Sequence, residues 1–232
     1  VLVPRSERID ASGDVRAVLK LGEEENGEVG FFSRRRPVFL AAERMRSEPS
    51  EKRLSIRGQA RMWQEREMLA AEEIIVSREG GEMSGQGNVR TTFPYNPKKE
   101  EKKEERLELG GGRLSFDPQN RLLTYEQEAW LKTQRIGLNS DTILVRLQKE
   151  KGEIENITAE GNVKITAGSR EGSGAKAFYD LAQETVVLTG NPSLADKEKG
   201  KVEGDKLTFY LTDGRILVEN KERERSITVL KF

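Results

Sequence analysis

The sequence contains no cysteine and no histidine, carries no net charge, and has no long apolar run. Without cysteine, no disulfide can staple the chain and no thiolate can serve as nucleophile or metal ligand. Without histidine the commonest general base and zinc ligand is missing too, so any chemistry would fall to carboxylates, lysines or tyrosines. Basic and acidic side chains number 40 each, a balance that argues against a nucleic-acid binder. No stretch approaches the roughly 18 apolar residues of a membrane helix. Hydrophobic residues make up only 34% of the 232, so they must be strictly patterned to build a core. The opening "VLVPRSERIDASGDV" reads as coil running into a strand with no leader, as in a piece of a longer natural chain.

What is present is alternation. Apolar residues recur at every second position, and 3.6-residue periodicity is scarce. Leu54, Ile56, Gly58, Ala60 and Met62 share one face, as do Met83, Gly85, Gly87, Val89 and Thr91. The same scheme runs through Ile157–Ile165 around Gly161, through Val186–Leu194 around Gly190, and through Ile9–Leu19 around Gly13. Gln127 holds the glycine position between Leu123 and Leu131, and Asn220 makes a weaker last copy after Ile216 and Val218. A strand interior should avoid glycine, so a glycine repeated at the same point marks a bend or bulge. Pro192, two places after Gly190, belongs at a bulge or an edge.

A second strand type lies between these positions. "GAKAFYDLAQETVVLTG" (174–190) and "GDKLTFYLTDGRILVEN" (204–220) align without a gap. "LAAERM" (40–45) and "LAAEEI" (69–74) align at 29 residues, the offset that separates Gly58 from Gly87. The chain is therefore a repeat protein with a period of about 30 residues lengthened by insertions. About seven units of two strands each must stack, because one unit cannot bury its apolar face alone.

The insertions are charged. "GEEENGEVGFFSRRRPVF" spans 22–39, and residues 94–106 hold the run "PYNPKKEEKKEE". In that run Lys98 and Lys102, and Glu100 and Glu104, are like-charge pairs that disfavour a helix; the expectation is a mobile, solvated loop. Arg34, Arg35 and Arg36 could fork onto phosphates or simply be a solvated cluster. Trp63 and Trp130 fall on the parity opposite the bend glycines, which places them on the outer face or an edge.

No catalytic constellation emerges. Gly110-Gly111-Gly112 lacks the Lys-Ser/Thr of a phosphate loop, and "GQGNVR" (85–90) lacks the third glycine of a dinucleotide fingerprint. Acidic residues follow the outward parity, as solvated strand faces do. The expectation is a non-enzyme with no cofactor and no metal.

"FYDLAQETVVLTGNPSL", "VEGDKLTFYLTDGRILVEN" and the closing "SITVLKF" resemble the C-terminal half of the OstA-like/LptA family, the lipopolysaccharide-transport proteins of the Gram-negative periplasm. The resemblance is specific over 154–232 and looser over 37–93, where "RPVFLAAERM" and "LSIRGQARM" look like the family's first repeat. Residues 1–36 look like an extra partial repeat carrying an insertion, within one elongated domain spanning 1–232. The resemblance implies an all-β slipped β-jellyroll: an elongated, open-ended V. It also implies a hydrophobic groove for the acyl chains of lipid A. Partners would be lipopolysaccharide and other jellyroll domains of the same transport machinery, added end to end strand by strand, with head-to-tail homo-oligomers and no nucleic acid. The location would be the periplasm, with tethering to the inner membrane in a full-length form.

Groove residues carry over where the motifs match. Tyr179 and Leu181 correspond to the inward aromatic and apolar residues of the family's strand, and Phe209 and Leu211 follow by the internal repeat. Val38 and Leu40 correspond to the first-repeat pattern, while Val163, Ile165 and Leu188 follow by parity. Groove lining and core packing share one pattern, so each of these residues also reads as plain core. The competing function is a structural or adhesive β-repeat without ligand, which predicts uniformly large interior residues. Several here are small: Ala11, Ala17, Ala60, Ala129 and Ala159.

Overall fold

The computed structural model describes residues 8–19, 30–33, 36–48, 50–77, 80–95, 105–148, 153–196, 200–220 and 228–230. Most of the 94–106 run, where a mobile loop is expected, lies outside these residues, as do Arg34 and Arg35. Ten long strands lead: β1 (Ile9–Leu19), β2 (Val38–Glu48), β3 (Arg53–Gln64), β4 (Glu67–Ser77), β5 (Met83–Tyr95), β6 (Glu105–Asp117), β7 (Leu122–Lys132), β8 (Gly137–Leu147), β9 (Ile154–Ala167) and β10 (Arg170–Asp180). Six shorter ones follow: β11 (Thr185–Thr189), β12 (Ser193–Asp196), β13 (Gly200–Glu203), β14 (Lys206–Tyr210), β15 (Ile216–Glu219) and β16 (Thr228–Leu230). All belong to one 16-stranded antiparallel sheet in which, apart from β11–β14, neighbours in sequence are neighbours in space.

Each odd-numbered long strand, β1, β3, β5, β7 and β9, is bent near its middle, at the positions singled out by sequence. Gly58 and Gln59 are both left-handed (φ 76° and 46°), as are Gly87 and Asn88 (75° and 48°). Register jumps between Arg57 and Ala60 and between Gln86 and Val89, so the strand gains one residue over its partner, a β-bulge. Gly161–Asn162 and Gly190–Asn191 repeat the conformation. The bend also leaves no room for a side chain: a Cβ on Gly87 would lie 2.5–2.9 Å from Glu72 of the preceding strand. Asn88 Nδ2 donates to Glu72 Oε1 at 2.7 Å, and Asn162 Nδ2 to Asp141 Oδ2 at 2.9 Å, so each corner is fastened from the outside.

Gln127 and Glu128 adopt the same left-handed pair without glycine (φ 64° and 60°). Here the small residue has moved next door. A Cβ on Gly112 of β6 would sit 2.5 Å from Gln127 Oε1, so the glycine run 110–112 makes space for the bend of β7. Asn220, expected as a further copy, lies just past the end of β15 and is not among the positive-φ residues. At Gly190 the bend goes further and breaks the strand into β11 and β12, with Pro192 buried at the break. The return strand is likewise split into β13 and β14, and β12 pairs with β13 while β11 pairs with β14.

The bends divide the sheet into two wings facing one another. The first wing holds residues before each bend of β1, β3, β5, β7 and β9; the second holds those after it. Residues in step with the bend glycine are buried on both wings, from Leu54 and Met62 to Ile157 and Ile165. A single hydrophobic cluster runs from Val15 to Val218 between them. The result is the all-β slipped jellyroll, seven two-strand units long. Outward residues form charged ladders instead, with Arg57 Nε 2.7 Å from Glu73 Oε1 and Lys176 Nζ 2.7 Å from Glu160 Oε1 on directly paired positions.

Candidate binding trough

The sequence-predicted groove residues all come to the interior. Val38, Leu40, Val163 and Ile165 line the second wing, while Tyr179, Leu188 and Phe209 line the first. Leu181 is buried in the turn after β10, and Leu211 packs against the cluster while remaining partly exposed. Burial of the first eight is nearly complete, from 0% exposure at Leu40 to 6% at Leu181. The long edge of the V, where the two wings' strand ends approach, is bridged by side chains.

Among the described residues, three bridges lie along this mouth. The most extended is polar. Tyr95, at the end of β5 on the second wing, donates to Glu105 Oε2 at 2.8 Å, and Tyr179 of the first wing is hydrogen-bonded to Tyr95. Beside it Arg135 Nη1 lies 2.6 Å from Glu184 Oε1, with the Glu184 side chain 3% exposed. Burial, then the bond to Glu105, pushes the Tyr95 hydroxyl up to about 12; burial also raises Tyr179. Both phenols therefore stay protonated and act as donors.

The second bridge lies nearer the C-terminus. Arg170, at the start of β10, donates through Nη1 to the Gly214 carbonyl at 2.8 Å and stacks over the Phe209 ring at 5.3 Å. Its Nε also lies 3.3 Å from Asp196 Oδ2. The third bridge is aromatic and comes from the insertion before β2. Phe31 and Phe32 are buried, and Phe31 packs on Phe93 of the second wing (5.1 Å) and on Phe116 of the first (6.4 Å). Deeper inside, Thr91 Oγ1 and the Tyr125 hydroxyl share a buried 2.6 Å hydrogen bond between the wings, and burial raises Tyr125.

Pattern alone does not reveal these bridging groups. Tyr95 and Tyr179, or Arg170 and Gly214, lie far apart in sequence and meet only once the wings fold. The one available signal was "FF" at 31–32, an adjacent aromatic pair inside a charged insertion. The outer face behaves as its parity predicts. Trp63 stacks on the exposed Phe39 (5.8 Å), Arg90 lies over Trp130 (5.6 Å), and Arg36 pairs with Glu65. Among the described residues no group of three or more acidic side chains is arranged to hold a metal.

Residues 111–215 match the family described as LptA/(LptD N-terminal domain) LPS transport protein. Over 131 residues, 53% of this chain and 70% of the relative, the sequence is 26% identical to the lipopolysaccharide export system protein LptA of Escherichia coli; LptA of Shigella flexneri matches equally. Among solved structures, LptH of Pseudomonas aeruginosa, the LptA-homologous periplasmic component of a lipopolysaccharide transport device, aligns over 53% of this chain and 93% of its own. That alignment has 14% identity and a TM-score of 0.45.

Proposed function

We propose that this chain, whose residues 111–215 match the LptA/(LptD N-terminal domain) family, carries lipopolysaccharide by its lipid A acyl chains between the two wings and bridges its transport across the periplasm to the outer membrane. One observation carries the reading. The interior is a continuous apolar cluster along the molecule, yet the mouth beside it is bridged by side chains. Parting those side chains opens the interior without breaking a strand ladder. Each buried methylene then contributes about 0.8 kcal/mol, so a few carbons of each chain offset the lost polar contacts.

The ends suit the same role. β1 and β16 stand at the two ends of the strand order, and an end strand can accept a strand from another jellyroll or a second copy of this chain. End-to-end addition would continue the trough from one protein to the next. Binding and relay need no catalyst. A tether to the inner membrane belongs to the same reading.

The test uses neighbours on one strand that point opposite ways. Ile165 faces the interior and Lys164 faces outward. A photo-crosslinking residue at 165 should capture lipopolysaccharide and one at 164 should not. Equal capture at both, or capture at neither, would sink the proposal. Capture at neither would favour a ligand-free structural β-repeat, a reading that draws on how completely the interior is buried.

A further inference from the structure

Residues 30–33 belong to none of the sixteen strands, yet two of their side chains are buried: Phe31 is 5% exposed and Phe32 3%. The segment is held by its backbone. Gln64, the last residue of β3, accepts from the Ser33 N–H at 2.8 Å and donates through Nε2 to the carbonyls of Ser33 (2.9 Å) and Arg36 (2.8 Å). Gln64 is itself 4% exposed, a buried polar group whose side-chain hydrogen bonds go to this loop. The clasp fastens the segment that carries Phe31 and Phe32.

The position of the segment is specific. Met83 and Phe93 are on one strand, β5, on either side of the bend at Gly87. At about 3.3 Å per residue they lie roughly 13 and 20 Å from the bend along their respective wings. They therefore mark the two lips of the mouth. Phe31 reaches Phe93 on one lip and Phe116 on the other, and Phe116 pairs with Met83. The backbone at Gly30 lies so close to Met83 that an added Cβ would be 3.1 Å from the Met83 Cβ. Elsewhere the interior is filled mainly by strand side chains, joined by Ile136 and Leu181 from short turns. Here two phenylalanines from a connecting segment enter it from the mouth, as the end of a foreign apolar chain would.

We propose that Phe31 and Phe32 form a self-plug: they occupy a place in the mouth that an acyl chain takes when lipid binds, and Gln64 holds them there until it does. The inference rests on the acyl-trough reading above and adds a competition to it, between the chain's own aromatic pair and its ligand.

The absence of native cysteine allows a clean test. With Gly30→Cys and Met83→Cys, the Cβ separation is close to the 3.5–4.5 Å usual for a disulfide. Gly30 is left-handed (φ 58°), so the pair is strained, and the oxidised and reduced forms of the same protein are compared. The readout is binding of fluorophore-labelled lipopolysaccharide. The oxidised form should bind at least tenfold more weakly than the reduced form, and Phe31→Ser with Phe32→Ser should bind at least tenfold more tightly than the natural chain. If all forms bind alike, the trough stands and the plug falls. If none binds, the trough reading fails and takes the plug with it.

Discussion

Gly112 and Gln127 share one corner: a Cβ on Gly112 would lie 2.5 Å from the Gln127 Oε1 and 2.8 Å from its Cβ, while Gln127 itself is left-handed at φ 64°. At the neighbouring corners the bend residue is the glycine, and a larger residue (Glu43, Glu72, Asp141) packs over it. Here the arrangement is inverted. Gly112→Ala should therefore cost about 2–3 kcal/mol by driving a methyl into Gln127. Gln127→Gly alone should be neutral or stabilise by up to about 1 kcal/mol, because glycine adopts that backbone freely. The double variant should recover most of the loss. Chemical denaturation of the four proteins measures the coupling, and simple additivity would refute the shared corner.

Two other glycines separate steric from conformational demand. Gly87 (φ 75°) has Glu72 within 2.5–2.9 Å of its missing Cβ, whereas Gly168 (φ 61°) has nothing within 4 Å. Gly168→Ala should cost about 1 kcal/mol, from backbone strain alone. Gly87→Ala should cost roughly twice that or more, unless Glu72 is also shortened to alanine.

Glu184 is buried against Arg135 at 2.6 Å across the mouth. Arg135→Met should destabilise by about 3 kcal/mol, because it strands a buried carboxylate. Adding Glu184→Gln should return part of that loss. Both variants should also take up a fluorescent apolar dye faster than the natural chain, since this bridge holds the mouth shut; unchanged uptake would show that the other bridges suffice.

Glu67 predicts a pH dependence. Burial, then repulsion from Glu65, pushes its carboxyl up from 4.5 to about 7, against the pull of Arg36. The folded chain thus holds this proton more tightly than the unfolded one. Stability should fall as pH climbs from about 4.5 to about 7 and then level off, by about 1–2 kcal/mol once partial solvent access is allowed for. Glu67→Gln should remove this part of the slope, visible as a difference between the two proteins' denaturation midpoints at pH 4.5 and pH 7.5.

The corners were legible in the sequence because left-handed backbone favours glycine, and glycine recurred at a fixed place in alternating strands. The interior face was legible for the same reason: a period of two fixes which side each residue takes. Gln127 looked like a degenerate copy because its compensation sits on another strand, at Gly112. Asn220 looked like a further corner because Ile216 and Val218 keep the parity, but no left-handed residue bends the strand there. The inward position of Tyr179 was expected from the family resemblance, whereas its bond to Tyr95 was not foreseeable. That bond depends on the angle at which the wings close, which no local pattern encodes. Phe31 and Phe32 escaped notice because a charged insertion is expected to stay in solvent.

The meander has a consequence for how the molecule is made. Apart from the split strands around the corner at Gly190, every rung pairs with rungs next to it in sequence. Most pairing is therefore short-range, and loop-closure entropy is met in small steps rather than one large one. A chain emerging end first can add hairpins to a growing template without waiting for its far terminus. Only the bridges across the mouth, such as Tyr95 to Tyr179, require distant parts to be present together. Assembly should accordingly run in two stages, a fast zippering of rungs and a later closing of the wings.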